Sequence, residues 1–93
     1  MQPMDETTVP RRRPEAVSRN VEGQEVVVLP LVGEIQVLNA VGARIWSLID
    51  GSRSAGEIAR AIEAEFAVDA ATAHADTLKF LATLQERDLL VQP

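Results

Sequence analysis

The side chains that most often carry chemistry are scarce in this sequence. His74 is the only histidine among 93 residues and there is no cysteine, so thiol nucleophiles, disulfides, cysteine-ligated zinc and iron–sulfur clusters have no ligands to draw on. Positions three and four residues from His74 hold Ala70, Ala71, Thr77 and Leu78, so no carboxylate shares its helical face for a metal pair or an acid–base dyad. The pattern predicts a non-enzymatic chain with no metal and no cofactor, and leaves His74 without a role. The concentrated positive charge, Arg11-Arg12-Arg13, suits docking of a partner or a solubilising arm.

Composition narrows the classes further. Hydrophobic residues make up 46% and charged residues 25% of the chain, ordinary usage for one small globular domain. Nine basic against fourteen acidic residues leave a net charge of −5, which repels phosphate backbones and anionic lipid alike. No apolar run nears the roughly 18 residues of a membrane span, and the first 13 residues lack the apolar centre of a signal peptide. A cytoplasmic protein binding neither nucleic acid nor membrane is expected.

The elements follow from periodicity. Residues 1–14 carry Pro3, Pro10 and Pro14 among charges, and read as a flexible arm preceding a domain over 15–93. Three β-favouring runs, 16–21, 25–29 and 34–38, are separated by Glu22-Gly23 and by Pro30 to Gly33, which predicts an antiparallel meander with the second strand central. After Leu38 the period becomes helical. Asn39 is a good N-cap for a helix over 40–50, Ser54 and Glu57 form a capping box for one over 55–66, and Asp69 opens a third over 70–87. The fold class is α+β, winged-helix-like, in the order βββααα.

Two features of this plan look outward. In the third strand Ile35 and Val37 alternate with Glu34 and Gln36 up to Leu38, giving one apolar face on a strand with an unpaired edge. In the third helix Ala71, Ala75, Leu78 and Ala82 form one side, Ala73, Thr77, Phe80 and Leu84 another, with Leu81 between. The apolar arc spans about 220°, against the roughly 100° needed to face one core. A second apolar neighbour is expected for that helix. Trp46 reads as a core anchor, and Gly42 as a point of close helix packing, since glycine inside a helix costs about 1 kcal/mol.

The blocks Leu38-Asn39-Ala40-Val41-Gly42-Ala43-Arg44-Ile45-Trp46, Asp50-Gly51, Glu57-Ile58, Asp76-Thr77-Leu78-Lys79-Phe80-Leu81 and Asp88-Leu89-Leu90, with the spacings between them, resemble the PqqD family of peptide-recognition proteins over about residues 9–91. The resemblance implies three antiparallel strands followed by three helices, the order reached independently above. It also implies a RiPP recognition element: a non-catalytic chaperone that binds the leader of a ribosomally made precursor peptide and presents it to a modifying enzyme. That enzyme is a radical SAM protein in pyrroloquinoline quinone biosynthesis, and relatives serve lasso-peptide pathways. In such domains the leader adds as a strand to β-strand three and packs on helix three. Two departures stand out. Many relatives have aromatic residues where this chain has Ile35 and Val37, and a glycine in place of Asp88, a residue type that tolerates the left-handed conformation.

Carried onto this sequence, the resemblance implies a strand side of Glu34, Ile35, Gln36, Val37 and Leu38. The helix side is Ala73, Asp76, Thr77, Phe80, Leu81 and Leu84, with Asp76 and Lys79 on its wetter flank. Strand addition supplies affinity through main-chain hydrogen bonds, and pockets supply selection. Tethering then raises the local concentration of the core peptide to about the millimolar range. Two other classes compete: a winged-helix DNA-binding regulator, disfavoured by acidic residues on the third helix, and a structural dimerisation subunit closed through the spare edge. Monomer and homodimer both fit.

Overall fold

The two-residue connection Glu22-Gly23 has positive φ at both positions, 51° and 85°, the backbone of a tight hairpin whose twist matches its strands. It joins β1 (Val17–Val21) to β2 (Gln24–Leu29) with Val21 opposite Gln24. A 3-10 turn over Pro30–Val32, ended by Gly33 at φ 70°, turns the chain into β3 (Glu34–Leu38). The antiparallel sheet has the order β1-β2-β3, so β2 is central as expected. These features come from a computed structural model that describes residues 4–91.

Three helices follow, each opened by the side chain that its sequence offers. Asn39 Oδ1 accepts from Gly42 N at 2.8 Å to start α1 (Ala40–Leu48). Ser54 and Glu57 cap each other's backbone at α2 (Ala55–Phe66), and Asp69 accepts from Thr72 N at α3 (Ala70–Glu86). α1 stops at Leu48, short of the expected 50, because Ile49 has already turned to extended backbone. α3 ends with Asp88 at φ 60°, where Asp88 N donates to Gln85 O and Leu89 N to Leu84 O. That pair of bonds is the Schellman arrangement, with aspartate where glycine is usual.

The helices cover one side of the sheet. Val27, Leu29 and Leu38 meet Ile45, Trp46, Ile49, Ile58, Ile62, Leu81, Leu84, Leu89 and Leu90 in a single core. The other side of the sheet faces outward with Val17, Val21, Ile35 and Val37 exposed. No helix among the described residues is long and apolar enough to cross a membrane.

The segment before β1, read from sequence as a flexible arm over residues 1–14, is laid along the body from Glu6 onward, and residues 1–3 of it lie outside the described residues. Thr8 O accepts from Ala55 N at 2.7 Å and Glu6 O from Gly56 N at 2.9 Å, satisfying two donors that the first turn of α2 leaves orphaned. Further on, Arg12 bridges Leu90, Arg13 N donates to Leu89 O and Val91 N to Arg11 O. Proline spacing forbids a helix here, but it leaves intact the backbone groups that make this short antiparallel clamp.

Candidate functional site

β3 lies at one edge of the sheet, with Arg87 of the α3 end at its start and Phe80 of α3 near Asn39 and Gly42 just past its end. Five strand residues rise about 13 Å and the turns from Phe80 to Arg87 about 10 Å, so the two stretches are of similar length. At the start of β3, Arg87 Nη1 donates to Glu34 Oε1 at 2.8 Å. At its end, where Leu38 passes into α1, an open groove of about 360 Å³ separates α1 from α3. Asn39, Val41 and Gly42 line one wall and Asp76, Lys79, Phe80 and Thr83 the other.

The alternation along β3 falls opposite to the sense its apolar residues suggest. Gln36 pairs with the fully buried Val27, and Leu38 is itself buried, so Glu34, Gln36 and Leu38 take the helix-facing side. Ile35 and Val37 point away from the helices and are 61% and 53% exposed. Period-two patterning tells which residues share a face, while the register with β2 decides which face is covered. A segment pairing with β3 would set alternate side chains beside Phe80 and the Glu34–Arg87 pair, and the intervening ones beside Ile35 and Val37.

The helix side of the site is narrower than the apolar arc implied. Ala73, Thr77, Leu81 and Leu84 are buried in the core, whereas Phe80 is half-buried and Asp76 exposed at the groove. The arc was wide because small alanines at its margin, Ala71 and Ala75, lie in solvent, and alanine does not discriminate a buried face from an exposed one. Gly42 makes room for Phe80: a Cβ at Gly42 would stand 3.1 Å from the ring's Cε1. The groove thus adds Asn39, Val41, Gly42, Lys79 and Thr83 to the candidates on β3 and α3. Gly42 carried a sequence signal in its helix cost, but Arg87 carried none, since its partner lies 53 positions away.

Arg11, Arg12 and Arg13 are elsewhere. Arg12 and Arg13 flank a surface formed with Trp46, Ala16 and Ser18, near β1 and therefore at the sheet edge opposite β3, and Arg11 lines an adjoining depression with Ile49, Asp50 and Gly51. His74 Nε2 sits 3.4 Å from Glu6 Oε2 of the N-terminal segment, away from the groove residues. Among the described residues no group of His, Asp and Glu is arranged to hold a metal ion.

The antiparallel sheet with β3 at one edge, the three helices packed on one of its faces and the groove between α1 and α3 define a small winged-helix-like domain. The chain belongs to the PqqD family: the family model described as coenzyme PQQ synthesis protein D matches residues 25–90. Among curated proteins it is similar to the "PqqA binding protein" of Xanthomonas oryzae pv. oryzae strain PXO99A. The two are 49% identical over 53 residues, 57% of this chain and 58% of that protein. The chain therefore spans under two thirds of that relative's length.

Solved structures agree on the fold. TbiB1 in complex with the TbiA(beta) leader peptide is 34% identical, with a TM-score of 0.77 over 89% of this chain and 96% of that one. The PqqD truncation of Methylobacterium extorquens PqqCD, described as a stand-alone RiPP recognition element, is 25% identical. Its TM-score is 0.81 over 99% of this chain and 100% of that one. A lasso peptide synthetase B1 complexed with its leader peptide shares the fold at 22% identity and a TM-score of 0.81, over 91% of this chain and all of that one.

Proposed function

We propose that this chain is a peptide-recognition protein that binds the leader of a ribosomally made precursor peptide and performs no bond chemistry itself. The leader adds as a fourth strand along Glu34–Leu38, and one of its inward side chains enters the groove against Phe80. The observation that carries this reading is that the edge strand β3 ends at that groove, which is bounded by Asn39 and Gly42 on one side and Asp76 and Phe80 on the other. Main-chain hydrogen bonds give affinity largely independent of sequence, and the groove selects. Two relatives, the PqqA binding protein and TbiB1 in complex with its leader peptide, support the same assignment. A modifying enzyme receives the held precursor, whose reactive part is concentrated near the enzyme's site by the tether.

The test is titration calorimetry with two synthetic peptides, PqqA and the TbiA(beta) leader, alongside recovery of bound short peptides from the native host. Phe80→Ala and Val37→Pro serve as comparisons, because Thr77 and the other core residues of α3 are buried and do not face a peptide. Binding of one peptide, weakened by both substitutions while the circular dichroism spectrum holds, identifies the leader class. If neither synthetic peptide binds and no short peptide is recovered from the host, the reading fails.

A further inference from the structure

Three consecutive arginines on a chain of net charge −5 are not explained by a leader site on the opposite sheet edge. The structure fixes the backbone of all three: Arg11 O accepts from Val91 N at 2.8 Å, Arg12 bridges Leu90, and Arg13 N donates to Leu89 O at 3.0 Å. The Arg12 guanidinium lies 5.4 Å from the centroid of the Trp46 ring, a stacked arrangement that orients its N–H groups and reduces their hydration. Trp46 is nearly fully buried, and its Nε1 has no hydrogen-bond partner. Arg13 is shared with Glu15 at 3.1 Å, whereas neither Arg11 nor Arg12 meets a carboxylate among the described residues. Two adjoining depressions, of about 500 and 350 Å³, open beside them; Arg12 and Pro14 line both.

We propose that Arg11 and Arg12, backed by Trp46, form a second binding site that takes a carboxylate-rich segment of a protein partner. Each guanidinium offers planar paired donors that match a carboxylate's two oxygens. A nucleic-acid strand fits poorly, because Glu15 and Asp50 flank the arginines and the net-negative body repels a continuous phosphate ladder, while isolated carboxylates can alternate with those acids. The site lies by β1, at the edge opposite β3, so a leader and an acidic partner can be held together. The assignment does not depend on the leader reading.

The probe is a fluorescein-labelled, glycine-flanked hexaglutamate peptide followed by anisotropy, with the unlabelled peptide titrated against the emission of Trp46, the only tryptophan. The expected result is saturable binding accompanied by a Trp46 response, weakened about tenfold or more in the Arg11→Gln/Arg12→Gln double variant, and weakening in the wild type as salt rises. Arg11→Gln alone, which leaves the Trp46 stack untouched, is expected to show a smaller loss and serves if the double variant melts early. Absence of binding, equal binding by wild type and variants, or tighter binding of an oligothymidylate of similar charge each overturns the proposal.

Discussion

The Phe80 ring rests against the bare Cα of Gly42, and a methyl group there would stand 3.1 to 3.2 Å from two of the ring's carbons. Helix α1 and helix α3 are thereby fitted to each other at the mouth of the groove, and the glycine sets how far the ring leans into it. Gly42→Ala gains about 1 kcal/mol of helix propensity and loses a comparable amount by crowding the ring. Little change in melting temperature is therefore expected, together with weaker peptide binding as Phe80 is pushed off its place. Calorimetry with the peptide recovered from the host, paired with thermal melts, checks both halves.

Arg87 and Glu34 join the end of α3 to the start of β3. Both are partly exposed, so the pair contributes roughly 0–1 kcal/mol. A double-mutant cycle with Arg87→Gln and Glu34→Gln should return a coupling no larger than that in stability. A larger change is expected in peptide affinity, since the pair borders the strand that the peptide would join. A coupling well above this range by denaturant titration would mean the contact holds the fold rather than the site.

Thr77 is fully buried on α3, and its Oγ1 has no hydrogen-bond partner. Leaving a buried hydroxyl unpaired costs about 1–3 kcal/mol, and valine has nearly the same shape. Thr77→Val should stabilise the protein by about 1 kcal/mol, a rise in melting temperature of about 4–8 °C for a domain of this size. A fall in melting temperature would reveal a bonded water or partner at that hydroxyl.

Asp88 occupies the left-handed region that ends α3, at φ 60°. An L-residue pays about 1–2 kcal/mol there, partly offset by glycine's greater freedom when unfolded. Asp88→Gly is expected to be neutral to stabilising by up to about 1 kcal/mol, while Asp88→Val should destabilise clearly. Chemical denaturation of the two variants side by side is the measurement.

Asp50 accepts backbone hydrogen bonds from Ser52 N and Arg53 N and a third from the Ser52 hydroxyl, and it pairs with Arg53 at 2.9 Å. The backbone donors chiefly, with the guanidinium last, lower its pKa to about 2 from an ordinary 3.8. Because the folded value is the lower one, the carboxylate's stabilisation is complete above the ordinary value and drains away as pH falls through about 2. Asp50→Asn should melt earlier than wild type at neutral pH, with the gap closing toward pH 2.

Element order and helix starts were legible because caps, turn residues and periodicity act locally: Asn39, Ser54, Asp69 and the Glu22-Gly23 turn each do what their types favour. The outward turn of Ile35 and Val37 was not, since it depends on Gln36 lying opposite the buried Val27 across a turn. Nor was the confinement of the groove's helix side to Phe80 and its neighbours, because alanine-rich positions on α3 carry little information about burial. Contacts between distant positions, Arg87 with Glu34 or Thr8 with Ala55, leave no local trace at all.

The clamp between residues near 12 and residues near 90 has a kinetic consequence. Closing a loop over nearly the whole chain carries a large entropic cost that is met only after the intervening elements are in place. The clamp should therefore assemble late, and it should be among the first parts to open on the way to unfolding. In hydrogen exchange the amides of Arg13 and Val91 would then report a partial opening that leaves the Ile58 and Leu81 core closed. The basic segment would be freed or presented by a local event rather than by loss of the fold.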